Sequence, residues 1–261
     1  MAKSKSAPYG SWQSPITSDL IVAQSISLTD IRLDGRDIYW SEGRPQEQGR
    51  FVVVCAGKNR NEDLVPKPMN ARTRVHEYGG GSWTVDDGVT YFSNFADGRL
   101  YRCSDAKPEP EPLTPPPKAP GRQWRFADGI IDRKRQRWIG VREDHTGEGE
   151  ARNTIVAVDL RKASRKPANG VVRVLVEGHD FFSSPRLSPN GRWLAWLSWD
   201  HPDMPWNGTT LHLAALDDSG NVQKSQAIAG GRSESIFQPE WAPDSRGIFF
   251  VSDRSNWWNL Y

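Results

Sequence analysis

Apolar and aromatic residues gather along the chain in short runs separated by polar turns, and the arrangement recurs about every 50 residues. Each copy runs from an apolar strand through a tight Asp/Asn/Ser/Gly turn into a strongly aromatic strand, then through a loop into another strand. The clearest copies are SPRLSPNGRWLAWLSWD (184–200) followed by TTLHLAAL (209–216), and QPEWAPDSRGIFFVSD (238–253) followed by WNLY (258–261). The turn between the first two strands falls at Gly35, Gly88, Arg135, Gly191 and Ser245, at spacings of 53, 47, 56 and 54 residues. The segments DIYW, VTYFS, RWIGV, WLAWLS and GIFFVS are rich in aromatic and β-branched residues and bounded by Gly, Asp, Asn and Pro, which predicts strands. Asp-Gly and Asn-Gly tolerate positive φ and so close short hairpins. The almost wholly apolar RFVVVCAG (50–57) fits a sheet packed on both faces. A four-stranded unit of this length cannot bury its face alone. It must stack on its neighbours, and units stacked around an axis make an all-β fold, a β-propeller.

Five units follow. The first has strands at 26–33, 37–40, 50–56 and 63–65, and the second at 78–85, 89–93 and 99–104 with a Pro-broken edge at 111–113. The third has strands at 124–131, 137–143, 154–159 and 171–176, and the fourth at 184–187, 192–199, 209–216 and 224–229. The fifth has 237–241, 248–252 and 258–261 and no fourth strand, so the last blade is expected to be incomplete. Residues 1–25 form a lead-in and 26–261 a partial propeller domain. No stretch has helical periodicity, and 19 Pro and 23 Gly argue against long helices.

Composition narrows the function classes. With 34 basic and 32 acidic residues the net charge is +2, which implies neither a nucleic-acid nor an anionic-membrane surface. The basic runs at 133–137 and 161–165 read as solvated turns. No apolar run is long enough to cross a membrane, and the start MAKSKSAPYG has no secretory core. Cys55 and Cys103 fall in different units and are expected as free buried thiols in a reducing, cytoplasmic setting. Twelve Trp suit the filling of gaps between blades.

Chemistry concentrates in VHEYGGGSW (75–83). His76 and Glu77 open like a zinc-protease HExxH motif, but position 80 is Gly80, and three successive glycines exclude the helix that the motif needs. Gly79-Gly80-Gly81 lacks the Lys-Ser/Thr and helix of a phosphate loop. What remains is a Gly-rich innermost strand where backbones crowd, with Arg74, His76 and Glu77 at the mouth of the channel. Two readings of those three stay open: a charge and His network holding blades together, or a substrate-facing site centred on Glu77. No Gly-x-Ser-x-Gly elbow occurs, so no catalytic residue is assigned. Asp144, Glu148 and Glu150 do not match a calcium loop, and no metal or other cofactor is expected. WDHPDMPWNG (199–208) predicts a long aromatic loop at one rim, either a lid over the adjoining blade or a surface that docks a partner domain. In NWWNL (256–260) one Trp is expected in the core and the other against a neighbouring blade.

The lead-in YGSWQSPITSDLIV (9–22), VHEYGGGSW and SPNGRWLAWLSWDHPDMPW together resemble serine peptidases of the prolyl oligopeptidase family, nearest to the dipeptidyl aminopeptidase and acylaminoacyl-peptidase branch. The resemblance implies an N-terminal propeller of about seven blades that caps an α/β-hydrolase domain and admits peptides but not folded proteins. The chain matches the first five blades of that propeller, so it is expected to be a truncated, substrate-gating portion, inactive alone and meeting peptide substrate through the missing hydrolase domain. By the same resemblance the Glu77 segment lies on the inner side, where a propeller Glu of some relatives contacts a substrate's amino terminus. An open edge would favour self-association. The competing readings are a stand-alone scaffold that recruits proteins, and a small hydrolase with a channel metal, for which only the His76–Glu77 region supplies ligands.

Overall fold

The computed structural model describes residues 6–11, 14–22, 25–57, 61–119, 121, 123–163 and 171–261. The aromatic runs form strands in five antiparallel sheets, each a meander in sequence order. Blade 1 comprises β1 (Ser27–Asp34), β2 (Asp37–Arg44), β3 (Arg50–Cys55) and β4 (Glu62–Asp63), and blade 2 comprises β5 (Trp83–Asp86), β6 (Val89–Ser93), β7 (Leu100–Ser104) and β8 (Lys107–Pro112). Blade 3 comprises β9 (Trp124–Asp132), β10 (Arg137–Asp144), β11 (Arg152–Asp159) and β12 (Val172–Val176), and blade 4 comprises β13 (Phe181–Leu187), β14 (Trp193–Trp199), β15 (Thr209–Ala215) and β16 (Gln226–Gly231). Blade 5 is three-stranded, with β17 (Ile236–Trp241), β18 (Ile248–Ser252) and β19 (Asn259–Leu260). The result is an all-β propeller built of radial sheets.

The core lies between blades, as stacking demands. Tyr39 and Val52–Val54 of blade 1 meet Trp83, Phe92 and Tyr101 of blade 2. Tyr91 and Leu100 of blade 2 meet Phe126, Trp138 and Val156 of blade 3. Ile139, Val141 and Ile155 of blade 3 meet Phe182, Leu194 and Trp196 of blade 4, and Leu197 and Leu211 of blade 4 meet Ile236 of blade 5. Burying each large aromatic side chain contributes on the order of 2–3 kcal/mol, so these four seams hold the sheets together. On the outer sides of the row, Leu28, Ile31 and Leu33 of blade 1 and Phe249 and Leu260 of blade 5 are exposed.

Four elements differ from the pattern-based reading. The first strand of blade 2 begins at Trp83 and not at residue 78, because 75–78 form a turn and the glycines only approach the sheet. KPEPEP forms a full fourth strand, not a broken edge: β8 pairs with β7 through Arg102↔Glu111 and Tyr101↔Pro112, and an outermost strand needs no N–H on its free side. Two short helices, α1 (Ser18–Val22) and α2 (Leu160–Ala163), also form. Trp257 and Trp258 are 78% and 53% exposed, so neither enters the core. Of the basic runs, 133–137 is not wholly solvated, since Arg137 is buried against Asp132, and residues 164 and 165 of the second lie outside the described residues. Cys55 and Cys103 are free, with Cys103 buried.

The innermost strands share a feature that periodicity does not reveal. β1, β9, β13 and β17 each carry a bulge with one residue in the left-handed region: Asp30 (φ 54°), Asp128 (56°), Ser184 (50°) and Gln238 (49°). A bulge bends its strand and re-aims the residues beside it. Asp128 uses that displacement to tie three blades, accepting from Gly81 N at 2.7 Å and from Ser184 N at 2.9 Å. A Cβ on Gly81 would lie 3.0 Å from Asp128 Oδ1. Gly81→Ala is therefore expected to lower stability by roughly 1–3 kcal/mol in urea denaturation, with Gly247→Ala, where an added Cβ meets nothing within 4 Å, as the control.

Candidate functional site

The turn 75–78 holds the motif residues in a backbone that most side chains avoid. His76 and Glu77 have φ of 57° and 65°, which costs on the order of 1–2 kcal/mol per residue. Blade 3 supplies the compensation. Glu143 of β10 accepts from His76 N at 2.6 Å, and Arg125 of β9 donates to Arg74 O at 2.9 Å. Arg125 Nη1 also donates to Glu77 Oε1 at 2.6 Å and Glu143 Oε1 at 2.9 Å, and the His145 ring meets Glu143 as well. The Arg125 guanidinium beside it holds the Glu77 carboxyl below the usual carboxylate range.

The structure thus divides the three predicted residues. His76 turns inward against Phe181 and Trp199, with ring centroids 5.8 and 5.0 Å away, and its Nε2 is buried without a partner among the described residues. Glu77 points to the Arg125 cluster, whereas Arg74 gives it only a backbone carbonyl and lays its guanidinium over the Phe95 ring, 4.8 Å from the centroid; both residues are exposed. Ligand atoms of Glu77, Glu143 and His145 lie within 4.8 Å of one another, the spacing of a metal site, yet Arg125 Nη1 already bonds both carboxylates. A cation there would have to displace a guanidinium. Arg125, Glu143 and His145 were invisible to sequence reading because they come from the next blade, 48 to 67 residues away from their partners.

Beside His76 opens a cleft of about 510 Å³ on the propeller axis. Its wall is made by Tyr78, the Gly79–Gly81 run, Trp199, Trp206, Phe237 and Trp258, with Asp30, Arg32, Asp128, Ser184, Arg186 and Gln238 deeper along the innermost strands. Trp206, from the aromatic loop 199–208, is exposed and stands 6.5 Å from Tyr78 across the opening.

The aromatic loop is held to blade 4 by two crossed hydrogen bonds, His179 Nδ1 with Asp200 Oδ2 at 2.8 Å and His201 Nδ1 with Asp180 Oδ2 at 2.9 Å. Behind them His212 stacks on Trp196 and meets Ser198 Oγ at 2.8 Å. Burial, reinforced by His179, lowers the His212 pKa from 6.5 to about 4. The imidazole is neutral in the folded state, so its stabilisation is complete above about 6.5 and is lost as pH falls toward about 4. The wild-type Tm should fall more steeply through that window than the Tm of His212→Gln, measured by circular dichroism; equal slopes would refute the assignment.

Comparison with known proteins fits this geometry. No family profile and no curated protein matches the chain. Among solved structures, a puromycin-hydrolysing peptidase of Mycobacterium tuberculosis is 37% identical with a TM-score of 0.87, over 98% of this chain and 40% of that one. A puromycin hydrolase gives 37% and 0.88 over 98% and 40%. The chain is similar along nearly its whole length to the propeller part of these puromycin-hydrolysing peptidases. It spans about 40% of the length of those hydrolases. Prolyl oligopeptidase B of Galerina marginata, at 11% identity and a TM-score of 0.56, shares the fold of this propeller part over 90% of the chain. Among the described residues no helix is long and apolar enough to cross a membrane.

Proposed function

We propose that this chain is the substrate-gating propeller of a serine peptidase of the dipeptidyl aminopeptidase and acylaminoacyl-peptidase kind, and that the hydrolysed bond is an amide of a short peptide or of an aminoacyl compound such as puromycin. The observation that carries the reading is the 37% identity along 98% of the chain to puromycin hydrolases, joined to an aromatic-lined cleft on the axis. The chain itself supplies entry and exclusion. Tyr78 and Trp206 frame the opening, His76 and Trp199 line the wall behind them, and the stacked sheets hold that frame at a fixed width. Glu77 has a side chain 72% exposed and gives one carboxylate oxygen to Arg125, leaving the other for a substrate's amino terminus, with Arg74 beside it. The reacting serine and its partners belong to an α/β-hydrolase domain that the propeller covers, in a cytoplasmic enzyme.

The protein carrying this sequence, purified from its source, is expected to hydrolyse puromycin and short aminoacyl amides, to lose that activity to a fluorophosphonate, and to leave a folded protein intact. Hydrolysis that resists the fluorophosphonate would sink the serine mechanism. No hydrolysis, with a protein partner retained, would favour the scaffold reading.

The exposed apolar side chains of blades 1 and 5 call for cover in water. The 261-residue chain alone is accordingly expected to self-associate, giving a sedimentation coefficient that rises with concentration. A concentration-independent monomer would count against the proposed cover.

A further inference from the structure

Beyond the mouth, the axis holds a second cavity of about 440 Å³ at the hairpin end, walled by Asp132, Arg133, Lys134, Asn190 and Glu240 among others. It shares two lining residues with the aromatic cleft, Arg32 of β1 and Arg186 of β13. These arginines come from blades 1 and 4 and form the waist between the chambers. Like charges converging there need a reason, because each raises the cost of the other.

Neither guanidinium is fully used. Arg32 lies over the Trp83 ring, 5.4 Å from its centroid, and its Nε is buried with no hydrogen-bond partner among the described residues. Arg186 gives Nε to Glu240 at 2.8 Å and Nη1 to Pro185 O at 3.1 Å, and Nη2 has no partner among the described residues. The nearby carboxylates are largely engaged elsewhere. Asp128 accepts two backbone amides, Asp132 binds Arg135 and Arg137, and Glu240 serves Arg186; Asp30 is exposed, has no hydrogen-bond partner among the described residues, and reaches Arg32 through its charge alone. Burial and then Arg186 lower the pKa of Arg32 against the opposing pull of Asp30, Asp128 and Glu240.

We propose that the Arg32–Arg186 waist is an oxyanion site, holding a carboxylate or phosphate group of a ligand that lies along the channel. Planar guanidiniums on opposite walls suit a group with two or three acceptor oxygens. The aromatic chamber above would take the apolar remainder of a carboxylate ligand, whereas a bare phosphate would use the waist alone. The inference does not depend on the hydrolytic reaction.

The test is calorimetric titration of the protein with three probes: Ala-Ala-Phe as the free acid, the same tripeptide as its C-terminal amide, and inorganic phosphate. The free acid is expected to bind at least about tenfold more tightly than the amide, and Arg32→Gln and Arg186→Gln to weaken it about tenfold each, the scale of one charge-assisted hydrogen bond. Arg32→Lys, which keeps the charge and the fold, should fall between. Arg-dependent binding of phosphate stronger than that of the peptide acid would also support the site and name phosphate as its occupant. Equal binding of acid and amide, or binding untouched in a folded Arg32→Gln/Arg186→Gln double variant, would overturn the proposal while leaving the gating reading intact.

Discussion

Glu143→Ala is expected to destabilise the protein by about 3–5 kcal/mol, the scale of breaking a buried ion pair by removing one partner. Glu143 is 3% exposed and binds the His76 amide, the Arg125 guanidinium and the His145 ring at once. Its loss leaves Arg125, whose Nε is already unpartnered, with only the exposed Glu77 as a counter-charge. It also frees a turn whose two left-handed residues stay folded only while blade 3 holds them. Glu77→Ala, by contrast, removes a largely exposed partner and should cost no more than about 1 kcal/mol. Urea denaturation of both variants checks the ranking. Equal losses would mean that the cluster is not organised around Glu143.

Asp132→Ala is the second large effect. Asp132 is 1% exposed; it caps Arg135 N and pairs with Arg135 and Arg137 at 3.0 and 2.9 Å. The two arginines in turn bind Gly191, Asp217 and Gly220 carbonyls on the turns of blade 4, so one carboxylate orients the join between two blades. Alanine strands the buried Arg137, and a loss of about 3 kcal/mol or more is expected, against a total stability on the order of 5–15 kcal/mol. Asp132→Asn keeps one acceptor oxygen but sets an amide donor against donor groups at the other, so it should lose less than alanine while still destabilising the join. A loss below about 1 kcal/mol for the alanine variant would show that water repairs the join.

How far the sequence could be read follows from where each signal resides. A blade repeats its turn and its aromatic strand locally, so the runs ending at Trp40, Ser93 and Trp199 located their sheets. KPEPEP was legible as an outer edge, where proline is tolerated, but its prolines hid the strand's full length from Lys107 to Pro112. Trp257 and Trp258 misled because alternation places a side chain on one face or the other but cannot say whether that face is covered. The bulges at Asp30, Asp128, Ser184 and Gln238 use three side-chain types and break the period of two by one residue, which leaves no compositional trace. The site was half legible for the same reason. His76 and Glu77 stood out beside three glycines, whereas Arg125, Asp128 and Glu143 meet them only across the seam between blades, and the Arg32–Arg186 waist joins residues from blades 1 and 4.

The central proposal is that stacked sheets hold a narrow axial opening that sorts the substrates of the peptidase proposed to carry this chain by size. The direct measurement is kcat/KM for a ladder of peptides of increasing length, on the enzyme carrying this chain and on its Tyr78→Ala/Trp206→Ala variant. The account predicts a steep fall with length in the native enzyme and a gain for the longer peptides alone in the widened variant. Identical ladders for the two, or cleavage of a folded protein by the native enzyme, would contradict it.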